Sequence, residues 1–393
     1  MDLHQLSSHF IELYGTSSEE IAVFHAPGRV NLIGEHIDYN GGPVFPAALT
    51  FGTAMLIRPR TDKTIGLASL NFPGGTQHFS IDDITYRKEQ DWRNYPLGMA
   101  AFLLKEGLTD FRRGYDILYY GEIPNGAGLS SSASIEVVTG YGLLAMEGKE
   151  PVDTVKLAQL AQKAENEFIG VNCGIMDQFA VANGKMNHAI LLMCDTLEYE
   201  LVPFRSGDYR LVISNTNKRR GLVDSAYNER RSQCEWAVTA LQAGIPGLKL
   251  LGELTLEQFE ANQDLIQNGT VRRRARHVVE EIDRVKKAVA ALRGDDLAEF
   301  GQLMNASHES LRDLYEVSCE ELDVLVEEAR KIEGTLGSRM TGAGFGGCTI
   351  SLVHKDAIEA FKAEVGANYN RRTGLTAAFY VADIGDGVKR WQY

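Results

Sequence analysis

Three short segments concentrate the residue types that do chemistry. In Gly28-Arg29-Val30-Asn31-Leu32-Ile33-Gly34-Glu35-His36-Ile37-Asp38-Tyr39-Asn40-Gly41-Gly42, an arginine, two carboxylates, a histidine and four glycines crowd together. Carboxylate and imidazole groups bond neighbouring hydroxyls such as those of a sugar, and glycines let the backbone approach a ligand closely. A zinc centre is the competing chemistry, but the stretch holds no His-Glu-x-x-His and no second nearby histidine. The plain alternative is an exposed charged turn, which Val30, Leu32 and Ile33 weaken by tying the stretch to a core.

The second segment is Pro124-Asn125-Gly126-Ala127-Gly128-Leu129-Ser130-Ser131-Ser132-Ala133-Ser134, between a strand pattern and a helix pattern. Glycines let backbone N–H groups turn inward, and the start of a helix carries partial positive charge. An anion is the ligand that suits such a cradle, and the serine hydroxyls point to a phosphate chain or a metal. The alternative is a flexible Gly/Ser turn. The chain contains no Gly-x-x-x-x-Gly-Lys-Ser/Thr loop and no His-Arg-Asp or Asp-Phe-Gly signature, so a nucleotide would be held in another way.

The third, Gly337-Ser338-Arg339-Met340-Thr341-Gly342-Ala343-Gly344-Phe345-Gly346-Gly347-Cys348, formally contains Gly-x-Gly-x-x-Gly. That fingerprint needs a helix after it, whereas Cys348-Thr349-Ile350-Ser351-Leu352-Val353 reads as a strand. A Gly-rich loop that closes over phosphates remains. Two isolated acids join the set. Glu165 falls near the apolar stripe of an amphipathic helix, where it is either a hard-cation ligand or a boundary salt-bridge residue. Asp177, in Cys173-Gly174-Ile175-Met176-Asp177-Gln178-Phe179, is either a helix cap or a catalytic acid.

The elements that must position these groups are mixed. A short leading helix precedes a strand at Ile21–Phe24, a turn-rich stretch from Pro27 to Pro46, and strands through Ile57 and Ile65–Leu70. A strand at 113–123 leads into the serine run. Helical spacing then marks Ser131–Met146 and Asp153–Phe168, where Leu157, Ala161, Ala164 and Phe168 share a face. Helical patterns fill Asp224–Lys331, and strands return at 348–353 and 376–383. Mixing without strict alternation predicts an α+β fold, with a division in the polar stretch Glu198–Asp208, giving residues 1–200 and 201–393.

A length of 393 residues predicts two domains or three. The net charge of -13 argues against a nucleic-acid partner. The run Arg272, Arg273, Arg274 and Arg276 reads as the solvated face of a helix rather than an anion site. Five scattered cysteines without a Cys-x-x-Cys pair predict reduced thiols. No secretory pattern and no long apolar run is visible, so a cytoplasmic protein without a membrane partner is expected.

Together the three segments resemble the signatures of the GHMP kinases, small-molecule kinases that include homoserine, mevalonate and phosphomevalonate kinases. Gly126–Ser134 and Gly337–Cys348 carry the family-wide part. Gly28–Asn40 resembles the signature of the galactose-phosphorylating branch nearly letter for letter, and the resemblance extends through Cys173–Gln178 and Tyr227–Cys234. It implies an N-terminal domain like the second domain of ribosomal protein S5, a ferredoxin-like C-terminal domain, and an active site in the cleft between them. The implied reaction is ATP-dependent phosphorylation of galactose at its C1 hydroxyl, with Mg2+. By resemblance, Glu35, His36 and Asp38 hold the sugar with help from Gly174 and Tyr227. Ile37, between two of these contacts, stands where the branch usually carries Thr.

The resemblance further assigns the ATP phosphates to Gly126, Ala127, Gly128, Leu129, Ser130, Ser131 and Ser132, and a nucleotide contact to Ser69. It implies Ser132 and Glu165 as magnesium ligands, Asp177 as the base, and Arg29 as the cation beside it. A kinase for a related sugar such as N-acetylgalactosamine and a non-catalytic galactose sensor are the alternatives. Such sensors have lost part of the serine–alanine run, which is complete here at Leu129–Ser134. A monomer is expected, with a homo-oligomer left open.

Overall fold

The computed structural model describes residues 2–123, 128–218 and 223–391. The first strands are β1 (Ala22–Asn31), β2 (Pro43–Val44), β3 (Pro46–Pro59), β4 (Thr64–Ser69), β5 (Gln77–Ser80) and β6 (Tyr115–Gly121). After them come β7 (His188–Met193), β8 (Tyr199–Pro203), β9 (Tyr209–Asn215), β10 (Thr335–Thr341), β11 (Cys348–His354), β12 (Ala378–Ala382) and β13 (Lys389–Trp391). The early helices are α1 (Leu3–Tyr14), α2 (Asn94–Lys105), α3 (Ser131–Met146), α4 (Thr154–Lys163) and α5 (Met176–Asn183). The later ones are α6 (Val223–Leu241), α7 (Leu256–Asn262), α8 (Gly269–Arg293), α9 (Leu297–Ser310), α10 (Glu320–Lys331) and α11 (Ile358–Thr373).

Six strands form one sheet in the order β13-β1-β3-β6-β4-β5, in which only the β4–β6 pair is parallel. Helix α3 packs on this sheet and is covered by α2 and α4. Its sequence explains that place: Ala133, Val137, Val138, Gly142, Leu143 and Leu144 bury nearly every face. The second sheet runs β10-β11-β9-β12 and is antiparallel. Numbered within that half, its order is second, third, first, fourth, with helices after the first and third strands. This is the βαββαβ ferredoxin-like arrangement, so the α+β expectation holds. The chain crosses from β8, paired in a small sheet with β7 and β2, to β9 over residues 204–208. It returns at its far end, where β13 pairs with β1 and Trp391 stacks on His25 at 4.5 Å.

Three local expectations change. Pro27–Asn31 is not turn but the continuation of β1, with a register shift between Pro27 and Arg29. Gly337–Thr341 belongs to strand β10, so the C-terminal glycine loop is confined to 342–347. In both places alternate backbone pairing outweighs the turn preference of single glycines and prolines. The arginine run is also not uniformly solvated. Arg273 is exposed, but Arg274 is buried and donates to Gln233 Oε1 at 2.9 Å and Glu316 Oε2 at 2.6 Å, with Leu314 O as a third acceptor. Helical phase turned that residue inward, and three acceptors were waiting.

Removing Arg274 would leave the buried Gln233 and the Leu314 carbonyl without this donor, while the exposed Glu316 keeps Arg273. Arg274→Ala should lower the unfolding free energy by about 3 kcal/mol, and Arg273→Ala by less than about 1 kcal/mol. Urea unfolding of the two variants checks this; equal losses would contradict the inward reading.

Candidate active site

β1 delivers the first reactive group. At the register shift Gly28 lies so close to the serine loop that a Cβ would stand 3.0 Å from the Leu129 carbonyl. The backbone there also accepts a strand-like partner, with Arg29 N donating to Leu129 O at 3.2 Å. The buried Arg29 guanidinium then grips Asp177 with two bonds, Nε to Oδ1 at 2.8 Å and Nη2 to Oδ2 at 2.6 Å. Its Nη1 donates to the Gly128 carbonyl at 2.8 Å. Planar, two-pronged pairing of this kind fixes direction as well as charge. Ser130 also donates to Asp177 Oδ2. One carboxylate in the first turn of α5 therefore ties β1, the loop before α3 and α5 together.

Ser130 precedes α3 with φ 62, a left-handed conformation uncommon outside glycine, and no side chain caps the helix. The first N–H groups of α3 are left for an anion. Gly126 and Ala127 lie outside the described residues. Gly128, Leu129, Ser130, Ser131 and Ser132 are described and form the lead into this helix start.

A cavity of ≈ 290 Å³ opens beside Asp177. Arg29, Glu35, His36, Asp38, Glu165, Gly174 and Tyr227 all line it, so residues far apart in sequence converge there. Gly174 has a steric reason: a Cβ at that position would fall 1.8 Å from Asp38 Oδ2. Burial, followed by the nearby Asp177 and Glu35 charges, pushes the Asp38 carboxyl up to about 6. Ile37 does not line the cavity; its side chain is fully buried in the core.

His36 is engaged at both ring nitrogens. Nε2 faces the Ala343 carbonyl at 3.1 Å, which can only accept, so Nε2 carries the proton. Nδ1 then accepts from the Tyr39 hydroxyl at 2.9 Å, and Tyr39 in turn accepts from Tyr315 at 2.8 Å. Burial, with His277 nearby, holds the imidazole down to about 3, and it is neutral. Behind it, His277 contacts the Glu35 carbonyl at 3.2 Å and Glu281 accepts from Gly34 N at 3.0 Å. Both come from α8, so the second half of the chain supports the Gly34–His36 segment of the first.

Glu165 sits where α4 widens into a π-turn over Ala164–Ile169, a distortion frequent at functional sites. Gln178 Nε2 donates to its Oε2 at 2.5 Å, and the Ser132 hydroxyl lies near enough to favour its charged form. Burial and then Asp177 push the Glu165 carboxyl up to about 7. The structure thus brings together Ser132 and Glu165 from different helices. It also adds Glu136, which sequence reasoning missed. That residue lies on α3 one turn beyond Ser132, is fully buried, and is held far above its usual value chiefly by burial and by Glu165. Its signal was available: an acid inside an almost wholly apolar helix.

A second cavity, of ≈ 200 Å³, is lined by Ser69, Ser131 and Ser132 and walled by the rings of Trp92, Tyr95 and Tyr119. Flat aromatic walls suit a planar heterocycle. Trp92 and Tyr95 were also missed, since a lone aromatic pair in sequence reads as core. Ser132 lines this cavity and lies near Glu165, which lines the first, so the two cavities approach each other at that pair.

Comparison with known proteins agrees with this geometry. A galactokinase galactose-binding signature matches residues 8–59, and the N-terminal and C-terminal GHMP kinase domains match 94–185 and 288–371. A galactokinase of Fusobacterium nucleatum is 52% identical over 98% of this chain and 99% of its own. One from Bacillus subtilis is 50% identical over 98% of each. The solved Lactococcus lactis galactokinase, complexed with galactose, superposes with a TM-score of 0.95 at 47% identity, covering 99% of this chain and all of that one. A Methanococcus jannaschii mevalonate kinase shares the fold alone, with a TM-score of 0.68 at 18% identity. With matching motifs at both ends and full-length identity near one half, the chain belongs to the galactokinases of the GHMP kinase family.

Proposed function

We propose that the protein transfers the γ-phosphoryl group of ATP to the C1 hydroxyl of galactose, giving galactose 1-phosphate and ADP. The observation that carries this reading is the Arg29–Asp177 pair, set between the polar cavity and the uncapped start of α3. The Lactococcus lactis relative complexed with galactose supports galactose as the substrate, and the carboxylates that line the first cavity support it as the sugar site. The aromatic walls of the second support it as the site of the nucleotide base.

Asp177 Oδ2 already takes two bonds and Oδ1 one, so Oδ1 keeps a lone pair for the attacking hydroxyl. Phosphoryl transfer passes through a loose transition state, and alignment with charge stabilisation supplies most of the acceleration. Asp177 orients the hydroxyl and takes its proton late, as the oxygen bonds phosphorus and the bond to ADP breaks. Arg29 cannot leave Asp177 without losing Gly128, so the base and the phosphate loop are held in one register. The α3 N–H groups meet the phosphate oxygens.

Ser132 and Glu165 fit magnesium. They offer one hydroxyl and one carboxylate, and Glu165 is buried beside Glu136 and Asp177, a crowd of acids that a hard cation would relieve. Bound with the triphosphate, magnesium would neutralise charge on its oxygens. The unbridged cysteines support a reducing, cytoplasmic location, and no helix among the described residues is long and apolar enough to cross a membrane.

Asp177→Asn keeps the shape and removes the base. Turnover should fall on the order of 10²-fold or more while nucleotide binding persists; near-normal turnover in the folded variant would sink the assignment. Glu165→Gln should raise the magnesium concentration needed for half-maximal rate at saturating galactose, and superimposable titrations would make Glu165 a purely structural acid.

The Asp38 value gives a pH dependence. A carboxyl raised to about 6 in the folded protein favours its protonated form, so ionising it as pH rises through 6 costs the empty protein stability. Hydroxyl donors from the sugar recover that loss only when Asp38 is ionised. Galactose should therefore bind more tightly, and raise the melting temperature further, at pH 7.5 than at pH 5. Calorimetric titration should find Asp38→Asn flat across that range; an equal slope in both proteins would assign the effect elsewhere.

A further inference from the structure

The two oxygens of the Glu35 carboxylate are used unequally. Oε1 accepts from Gly342 N at 2.8 Å and from the Thr341 hydroxyl at 3.1 Å, and Arg339 Nη2 stands 3.3 Å away. Oε2 accepts from Asn31 Nδ2 at 3.0 Å, its one protein donor among the described residues. Each carboxylate oxygen has two lone-pair directions. Oε1 is filled, and Oε2 retains one for a ligand in the cavity that Glu35 lines.

The groups that fill Oε1 come from β10 and the glycine loop, at the opposite end of the chain. Arg339 is fully buried and bonds only sparsely: Nη1 donates to the Asn31 carbonyl at 2.9 Å, while neither Nε nor Nη2 makes a hydrogen bond among the described residues, so Nη2 meets Glu35 as an ion pair only. Burying a cation so incompletely bonded is costly unless an anion faces it, and Glu35 is that anion. Thr341 accepts from Asn31 N at 3.3 Å and shares its single proton between Glu35 and the Asn31 carbonyl, the latter at 3.2 Å. Neither Arg339 nor Thr341 lines the cavity.

We infer that Arg339 and Thr341 are positioning residues for sugar recognition: they hold Glu35 turned so that Oε2 alone is presented to a hydroxyl of the substrate. The inference rests on reading the cavity as the galactose site. A carboxylate left to rotate would lose orientational entropy on binding and would offer either oxygen to either donor. Fixing it beforehand removes that cost and makes the contact selective.

Thr341→Val keeps the shape and deletes the bonds. Calorimetric titration with galactose, without nucleotide, should show binding weakened on the order of tenfold. Thr341→Ser should restore it to within about threefold, and turnover at saturating galactose should stay within about threefold of the unsubstituted protein. A panel of monodeoxygalactoses supplies the readout that a merely structural role would not move. Glu35→Gln identifies the deoxy sugar whose penalty depends on Glu35, and Thr341→Val should shrink the penalty for that same sugar. Arg339→Lys, which keeps a charge but not the guanidinium that reaches both the Asn31 carbonyl and Glu35, should act in the same direction.

Galactose binding by Thr341→Val within twofold of the unsubstituted protein would overturn the inference. So would a uniform loss across every sugar in the panel. Failure of the unsubstituted protein to bind galactose would overturn the reading of the site itself, and the inference with it.

Discussion

The two-pronged contact between Arg29 and Asp177 is the interaction on which the site depends. It joins a strand, the glycine–serine loop before α3 and a short helix through one ion pair, with side chains 6% and 31% exposed. An ion pair on an open surface contributes little to stability. Here Arg29 is withdrawn from water and its third nitrogen donates to a backbone carbonyl, so the pair sets geometry. Asp177 faces the first cavity while Gly128 precedes the start of α3, and a shift in either displaces the other.

Around that pair the protein gathers acids with little protein cation to balance them. Asp38 and Glu165 are raised by burial and by neighbouring charge, and Glu136 is buried without a basic partner. The histidines nearby contribute no charge, since burial holds His36 and His277 neutral. Such a site is incomplete as a protein alone. Hydroxyl donors and a divalent cation are the chemistry that would complete it, and the proposed reaction calls for both. The π-turns at Ala164–Ile169 and Leu311–Tyr315 fit the same account, because each places a residue, Glu165 or Tyr315, into contact with this cluster.

Local motifs made much of this legible. The crowding of Arg29, Glu35, His36 and Asp38, the serine run before an apolar helix, and an acid on an apolar stripe each announced a site. What sequence could not deliver was partnership across hundreds of residues. His36 looked like a free sugar contact, but Tyr39 and Ala343 occupy both its nitrogens. Ile37, between two site residues, turns into the core because the tight turn at Asp38–Asn40 points successive side chains in different directions. Arg274 read as solvated because its acceptors, Gln233, Leu314 and Glu316, lie on other elements. Trp92 and Tyr95 gave no signal of a cavity, since aromatic residues at helix starts are ordinary core. The return of β13 to β1 likewise depends on a partner strand at the other end of the chain.

The central claim is that one hydroxyl, at C1 of galactose, is held against Asp177 in line with the terminal phosphate of ATP. Phosphorus NMR of the product formed from galactose, ATP and magnesium tests this most directly. The account predicts a single phosphate monoester coupled to the anomeric proton, formed in equal amount with ADP. A phosphate on any other carbon, or ADP released without a sugar phosphate, would contradict it.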